Sequence, residues 1–222
     1  MSDYPLLERL RQMPLFADAA EESLAAMTRH AVLRRFTPGE TIYMEGDPSA
    51  GLWIMVSGRV KIYKLSADGA EYVLRIFGPG DTFNDLAALD GAPNAAGAST
   101  ITSVSAWVIP SEDFAAALAA DHALALAVIQ GLVGRQRRLI AQVEDLALRP
   151  VTARLARFLL TQVGDPALSH PAVTRALIAT HLATTSESIS RSLRSLEGAG
   201  AIRFDRHRIL IVKPDILREL AQ

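Results

Sequence analysis

The spacing of hydrophobic positions changes along the chain. In residues 5–30 it is helical, which predicts short amphipathic helices whose core includes Phe16, Leu24, Met27 and Ala31. From Val32 to Ile109, short runs of β-branched and aromatic residues alternate with turn pairs such as Pro38-Gly39 and Asp68-Gly69. Regular glycines punctuate these runs at Gly46, Gly58, Gly69 and Gly80. Short strands at this spacing predict a compact antiparallel barrel or sandwich.

A helical pattern returns after Pro110 and continues, rich in alanine, from Phe114 to about Leu148. Steps of three and four residues form a heptad seam of Ile129, Leu132, Gln136, Leu139, Val143 and Leu146. Arg149-Pro150 then ends the helix, because proline lacks a donor and disfavours helix in the residue before it. We therefore predict a sensor domain at 1–113, a dimerisation helix at 114–149, a hinge at Arg149 and Pro150, and a third domain at 150–222. The alternative for residues 114–149 is a helix that packs on its own domain.

Two amphipathic segments near the C-terminus predict a helix-turn-helix. The first covers Val173–Ala183, and the second, Thr184–Glu197, has an apolar stripe of Ile189, Leu193 and Leu196. The opposite face carries short acceptors and guanidinium donors suited to DNA: Ser186, Glu187, Ser190, Arg191 and Arg194. Runs at 202–204 and 208–212 pair naturally across the turn 205–207, which predicts a winged helix-turn-helix.

Charge is distributed unevenly between the two parts of the chain. From Arg149 onward there are 11 Lys and Arg against 6 Asp and Glu, whereas the whole chain has a net charge of −1. An arginine-rich excess on a helix and a hairpin favours nucleic acid as partner. The alternatives are a helical hairpin with a solvated face and a module that binds a partner protein. Only DNA binding should weaken steeply with salt.

The composition excludes several kinds of site. There is no cysteine, so disulfides, Cys-ligated zinc and iron–sulfur clusters are excluded. The chain lacks an apolar run of ~20 residues and a secretory pattern at its start, so we expect a soluble cytoplasmic protein without a membrane partner. A cupin-like enzyme using Asp81 and Asp85 is disfavoured, because residues 31–113 contain no histidine for a metal site.

Short motifs in the same order resemble the CRP/FNR family of bacterial transcription regulators along nearly the whole chain. They are Gly39-Glu40, Glu45-Gly46-Asp47, 57–61, Gly80-Asp81, 151–155 and 187–191. The resemblance implies an α+β fold with a cupin-like β-roll, a long dimerisation helix and a winged helix-turn-helix. It also implies a homodimer that binds double-stranded DNA and contacts RNA polymerase.

The resemblance implies DNA contacts at Thr174, Arg175, Thr185, Ser186, Glu187, Ser188, Ser190, Arg191 and Arg194. In the family pattern, Thr174 and Arg175 touch the DNA backbone. The Glu-x-x-Ser-Arg order is closer to the FNR branch and predicts TTGAT-like half-sites. A structural alternative for Glu187 is a capping box with Thr184. Ala183 departs from the family, whose turn usually has glycine.

The resemblance places an effector pocket at Asn84, Asp85, Leu86, Ala95, Ala96, Leu139 and Ile140. In cyclic-nucleotide-binding members, Gly-Glu holds the ribose, an Arg-Ser or Arg-Thr pair grips the phosphate and a hydroxyl pair contacts adenine. The matching residues here are Asn84-Asp85, Ala95-Ala96 and Leu139-Ile140. The sequence has no arginine between Arg75 and Arg135, so we expect a signal other than cyclic AMP.

Residues 79–85 and 93–98 look like the subgroup that controls nitrate dissimilation, some members of which are thought to sense nitric oxide through haem. Haem iron can be held by histidine. The candidates are His30, His122, His170, His181 and His207, with His181 foremost. A packed or solvated histidine is the alternative at each position, and a small organic effector is the alternative signal.

Overall fold

The structure is a computed structural model that describes residues 6–162, 174–205 and 209–222. The chain folds into two compact units. One contains Met1–Ile62 and Phe77–Arg138, and the other contains Tyr63–Ile76 and Leu139–Gln222. The expected α+β class is confirmed, since each unit contains helices and antiparallel strands.

Eight strands form the β-roll. In chain order they are β1 (Val32–Phe36), β2 (Thr41–Tyr43), β3 (Leu52–Ser57), β4 (Val60–Leu65), β5 (Glu71–Phe77), β6 (Thr82–Phe83), β7 (Gly97–Thr100) and β8 (Val104–Ile109). One sheet has the order β1-β8-β3-β6, and the other has the order β2-β7-β4-β5. Strand β3 pairs with β6 through Trp53 opposite Phe83. This pairing places the start of the following helix, α3 (Asp85–Asp90), beside the roll.

Alternating side chains of β3 enter two hydrophobic clusters, as expected for a strand that is buried on both faces. Trp53 and Met55 pack among the strands with Phe83. Leu52 and Ile54 instead pack with helical residues that include Phe16 and Met27. The predicted strand runs are present, but the sequence analysis missed β6 and β7. The first has only two residues, and the second is composed of small and hydroxyl residues.

The single helix predicted from Phe114 is wrong, because two helices occupy that stretch. They are α4 (Ser111–Ala120) and α5 (His122–Leu148), and the helix axis bends by 115° between them. Asp121 lies between them in an extended conformation. Its carboxylate accepts the backbone N–H of Leu124 at 3.0 Å and of Ala20 at 2.7 Å, and these bonds lower the pKa of Asp121. The carboxylate therefore caps α5 and joins it to Ala20, the residue that precedes α2 (Glu21–Thr28); the other N-terminal helix is α1 (Leu6–Arg11).

The break predicted at Arg149 and Pro150 is present, since α5 ends at Leu148 and α6 (Val151–Gln162) begins after it. Arg149 is held by Asp145 at 2.9 Å and donates to the carbonyl of Ala221 at 3.3 Å. The end of α5 is thereby joined to the C-terminal helix. The boundary between the two compact units lies elsewhere, between Arg138 and Leu139 within α5.

The remaining elements are α7 (Arg175–His181), α8 (Ser186–Gly198), β9 (Ile202–Phe204), β10 (Ile209–Ile211) and α9 (Pro214–Leu220). Strands β9 and β10 form an antiparallel hairpin. The shared core of these helices and α6 includes Leu155, Leu159, Ile189, Leu193, Leu196 and Leu217. The predicted start at Val173, the turn residues Arg206 and His207, the strand start at Arg208 and the haem candidate His170 lie outside the described residues.

No single helix of the described ranges is long and apolar enough to cross a membrane. One bent pair, α4 with α5, could do so by length and composition only.

Candidate nucleic-acid interface and effector site

Helix α8 separates its apolar and polar side chains between two faces. Ile189, Leu193 and Leu196 are fully buried against the other helices of this unit. Thr185 is the N-cap, and its Oγ1 accepts the backbone N–H of Ser188 at 3.2 Å. The cap is therefore Thr185 rather than Thr184, and the capping box suggested for Glu187 with Thr184 is wrong. This leaves Glu187 in the first turn, where its carboxylate is favoured by the helix dipole.

The polar face of α8 is open to solvent. The side chains of Glu187 and Arg191 are 81% and 68% exposed, and Arg191 Nε lies 4.0 Å from Glu187 Oε1. Arg191 also donates to Ser188 Oγ at 3.3 Å, while Arg194 is exposed one helical step further along. A carboxylate can accept from the cytosine amino group and a guanidinium can donate to guanine. The arrangement is therefore capable of base recognition in a major groove.

Two serines of this face differ in how free their hydroxyls are. Ser190 Oγ donates to the carbonyl of Ser186 at 2.9 Å, which occupies its proton within the helix and leaves its lone pairs as acceptors. Ser186 itself is exposed at the first position of the helix. Ser190 can thus accept from a base amino group without breaking its internal bond.

The turn between α7 and α8 has a left-handed residue. Ala183 has φ of +47°. The CRP/FNR pattern that the sequence resembles usually has glycine at this position, and glycine adopts positive φ without steric cost. The next backbone N–H, that of Thr184, donates to the carbonyl of Ala179 at 2.9 Å. The turn thus adopts a glycine-like conformation without glycine. Thr174 is the N-cap of α7, where its Oγ1 accepts the N–H of Leu177 at 3.2 Å.

Arg175 has contacts that the sequence analysis missed. Its guanidinium carbon lies 5.2 Å from the centre of the Phe204 ring, and its Nη2 donates to the carbonyl of Asp205. Both partners belong to the wing, about 30 residues away in sequence. The expected role of Arg175 at the DNA backbone stays a prediction, but the side chain also joins α7 to the wing.

In the β-roll, Asn84 and Asp85 lie together where β6 meets α3. Asn84 has φ of +63°, and its Nδ2 reaches Ser49 Oγ at 3.2 Å, the Gly51 carbonyl at 3.3 Å and Asn94 Oδ1 at 3.0 Å. The amide thereby joins three segments of the roll. Asn84 is in the left-handed region that asparagine tolerates better than most residues.

An arginine of α5, Arg135, lies beside Asp85, although the sequence around Asp85 contains no arginine. Arg135 forms an ion pair with Asp85 and donates from Nη2 to Thr82 Oγ1 at 2.8 Å and to the Thr82 carbonyl at 3.3 Å. Sequence reasoning missed this pair, because its members are 50 positions apart and only the fold brings them together. Since Asp85 already neutralises Arg135, the guanidinium is not a free phosphate-binding cation.

The other predicted effector residues have different environments. Leu86 and Ala95 are exposed, whereas Ala96 is buried. Leu139 and Ile140 are exposed on α5 and belong to the second compact unit, whereas Asn84 and Asp85 belong to the first.

Aromatic side chains fill the interior of the roll next to Asn84. Trp53 stacks on Phe83 with 5.7 Å between ring centres, and Tyr43 lies 6.4 Å from each of these rings. Burial, and secondarily the charge of Asp85, raises the pKa of the Tyr43 hydroxyl. Within the roll, two buried donors, Trp53 Nε1 and Asn94 Nδ2, have no hydrogen-bond partner. Such donors are costly unless an acceptor reaches them.

The described histidines are each engaged differently. His30 Nδ1 lies 3.0 Å from Asp113 Oδ2 at the surface, and His122 is exposed at the start of α5. His181 donates from Nδ1 to the carbonyl of Val73 at 2.9 Å and packs 5.5 Å from the Phe158 ring. Burial lowers the pKa of His181, so its imidazole is kept neutral. Among the described residues, no group of three or more His, Cys, Asp or Glu could hold a metal ion.

A haem group fits these histidines poorly. An imidazole whose Nδ1–H donates to a backbone carbonyl has an unprotonated Nε2, which is the nitrogen that could bind iron. However, the His181 ring is partly buried, with Phe158 on one side and the Val73 carbonyl at its Nδ1. A porphyrin plane beside it would displace this packing, so we assign no step to haem.

Two family models match the chain, and together they cover more than two thirds of it. A cyclic nucleotide-binding domain matches residues 33–121, and a Crp-like helix-turn-helix domain matches residues 153–220. These ranges contain the roll described above and the α7–α8 pair with its wing.

Relatives match over nearly their whole length. The chain is 29% identical to the CRP-like cAMP-activated global transcriptional regulator of Mycobacterium tuberculosis, over 97% of this chain and 99% of that regulator. It is 28% identical to the nitrogen fixation regulation protein FixK of Rhizobium meliloti, over 88% and 90% of the two chains. The structure of FixK2 from Bradyrhizobium japonicum superposes with a TM-score of 0.77 at 25% identity, over 86% of this chain and 98% of that one.

The first of these relatives is a transcriptional regulator by name and FixK is a regulation protein by name, which agrees with the expectation that the chain is a regulator rather than an enzyme. The chain belongs to the CRP/FNR family of DNA-binding transcription regulators.

Proposed function

We propose that this regulator acts as a homodimer on TTGAT-like palindromic DNA and responds to a signal other than cyclic AMP. The observation that carries the DNA specificity is the open polar face of α8, where Glu187 and Arg191 are exposed side by side. Their order with Ser190 favours the half-sites of the FNR branch, to which the nitrate-dissimilation subgroup belongs. We expect the protein to work in the cytoplasm with RNA polymerase as its partner.

The homodimer is supported by the apolar face of α5. Ile129, Val133, Ile140 and Val143 are all exposed in the single chain, and their spacing of 4, 7 and 3 residues keeps them on one side of the helix. A stripe of this length is costly in water and is suited to a parallel partner helix. A dimer would also present two recognition helices to half-sites about 34 Å apart.

The roll favours a small organic effector with hydrogen-bond acceptors. The position that grips phosphate in cyclic-nucleotide-binding members is Ala95, and Arg135 is already paired with Asp85. Within the roll, the buried groups that lack partners are two donors, Asn94 Nδ2 and Trp53 Nε1, the second on a ring that stacks on Phe83. Aromatic walls with a few oriented polar groups are typical of small-molecule sites. Such a ligand would carry a carbonyl or carboxylate rather than an amine.

The proposal is tested by measuring binding to a TTGAT-N4-ATCAA duplex and to a scrambled duplex across a range of salt concentrations. We expect a strong preference for the palindrome, a steep salt dependence and a stoichiometry of two chains per duplex. Equal affinity for both duplexes would contradict the half-site assignment. Affinity insensitive to salt would favour a protein-binding module instead.

The signal is tested on the same complex by titrating cyclic AMP, then haem with nitric oxide, then a panel of aromatic carboxylic acids. We expect only the third titration to change DNA affinity and the tryptophan fluorescence, to which the buried Trp53 contributes. A stoichiometric Soret shift that switches DNA binding would replace the organic effector with a haem sensor. A cyclic AMP response would overturn the proposed signal class and leave the DNA assignment intact.

A further inference from the structure

The wing of this protein is a small element that needs support. Strands β9 and β10 contain three residues each and form a two-stranded hairpin. A hairpin of this size is only marginally stable by itself in water. Its orientation against the helices therefore depends on a few contacts made by the hairpin residues.

Besides the packing of the Phe204 ring against the helical core, three contacts hold β9 to the helices. Ile202 is buried in the core shared with α8, and the backbone N–H of Phe204 donates to Glu197 Oε1 at 3.2 Å. The third contact is Arg175, whose guanidinium lies 5.2 Å from the Phe204 ring centre and donates to the Asp205 carbonyl. Glu197 belongs to α8, whereas Arg175 is the first residue of α7. Arg175 thus joins the wing to the other helix of the pair.

The geometry points to Arg175 as the residue that positions the wing for DNA binding, by holding Phe204 and Asp205 against α7. This inference rests on the proposed function, because it concerns how the wing is held in position beside the DNA-binding helices. The guanidinium is suited to the task because it is planar, stacks on aromatic rings and donates in several directions at once. Lysine offers the same charge but neither the planar stack nor the fork of donors.

This role makes predictions that differ from those of a plain phosphate contact. A phosphate contact depends on the positive charge of Arg175 and is indifferent to the Phe204 ring. A wing clamp depends on both side chains together and fails when either is removed. The two roles are therefore separated by two variants that keep every charge: Arg175→Lys removes the planar stack, and Phe204→Leu removes the ring while keeping an apolar side chain against the helical core.

The experiment compares Arg175→Lys, Arg175→Ala, Phe204→Leu and the double variant Arg175→Ala/Phe204→Leu in the full-length protein. Arg218→Ala is the matched control, because Arg218 is an exposed arginine of the same region that pairs with Asp215 on α9. Two quantities are measured for each: affinity for the palindromic duplex as a function of salt, and hydrogen exchange of the Ile209–Ile211 backbone amides without DNA.

We expect Phe204→Leu and Arg175→Lys each to weaken DNA binding by about three- to fivefold with an unchanged salt slope, because neither removes a charge. The double variant should bind no more weakly than Arg175→Ala, because both changes break one contact. Both single variants should also speed exchange of the wing amides. The Arg218→Ala control should leave exchange at the parental rate.

Parental exchange in Phe204→Leu and Arg175→Lys would overturn the clamp. So would fold-changes in affinity that multiply in the double variant, or an Arg175→Ala variant whose only effect is a salt slope smaller by about 1. If the parent failed to bind the duplex, the proposed function would fail. The exchange measurement would still decide whether Arg175 holds the wing.

Discussion

Two turns in the described part of the chain contain a non-glycine residue in the left-handed region, and they are stabilised differently. Asn84, where β6 meets α3, has a side chain that bonds to Ser49, Gly51 and Asn94. Ala183, between α7 and α8, has only a methyl group and therefore no side-chain bond to offset its conformation. In the roll, the side chain supports the unusual backbone. In the helix-turn-helix, the packing of the flanking helices imposes it.

The same contrast extends to the two candidate sites. Around Asn84 and Asp85, polar groups of the roll are bonded to one another, so substitutions there should first lower stability. On α8, Glu187 and Arg191 are exposed and make only weak mutual contacts, so substitutions there should spare stability and lower DNA affinity. Polar residues of the roll therefore mainly hold the site together, whereas polar residues of α8 are available to a partner.

The largest effect is expected from Asn84→Ala, at about 2–4 kcal/mol of lost stability. This change leaves buried acceptors without a donor and places alanine in the left-handed region. Denaturant unfolding followed by Trp53 fluorescence measures it. Asn84→Gly is the matched variant, since it loses the same bonds without backbone strain. Equal stability of Asn84→Ala and the parent would contradict the conclusion that the Asn84 side chain supports the backbone of the roll.

Arg135→Met should destabilise the roll by about 1–3 kcal/mol, because it leaves the partly buried Asp85 carboxylate without its cation. The double variant Asp85→Asn/Arg135→Met should recover part of this loss. Thermal unfolding of the parent, of Asp85→Asn and Arg135→Met alone, and of the double variant checks the expectation. Additive losses in the double variant would mean that the ion pair contributes nothing.

Arg191→Ala should weaken specific DNA binding by about 1–3 kcal/mol and leave unfolding and dimerisation unchanged. The guanidinium is exposed, so its loss removes no packing. Parallel titrations of the palindromic and scrambled duplexes provide the measurement. An equal loss on both duplexes would identify Arg191 as a phosphate contact rather than a base contact.

Ala183→Gly should give the smallest effect, a gain of up to about 1 kcal/mol in stability. Glycine removes the Cβ strain at φ of +47°, although part of this gain is lost to the greater freedom of the unfolded chain. Differential scanning calorimetry of the parent and the variant measures it. A lower melting temperature for Ala183→Gly would show that the methyl group contributes packing that outweighs the strain.

Local patterns in the sequence were sufficient to predict the helix-turn-helix. The stripe of Ile189, Leu193 and Leu196 determines which face of α8 is buried, and the polar face follows from the same periodicity. Because the contacts within a helix join residues only three or four positions apart, they can be predicted from the local sequence. The end of α5 at Arg149-Pro150 was predictable for the same reason, because proline acts on its immediate neighbours.

Contacts between distant residues could be found only in the folded chain. The ion pair of Arg135 with Asp85, the capping of α5 by Asp121 and the wing contact of Arg175 each join segments that no local pattern connects. The helix-turn-helix with its two-stranded wing and the division of α8 into a buried and a polar face, in contrast, follow from the local sequence. Hydrogen bonds and ion pairs act only over a few ångströms. The tertiary fold therefore decided which polar side chains lie close enough to bind each other and which remain exposed to a partner.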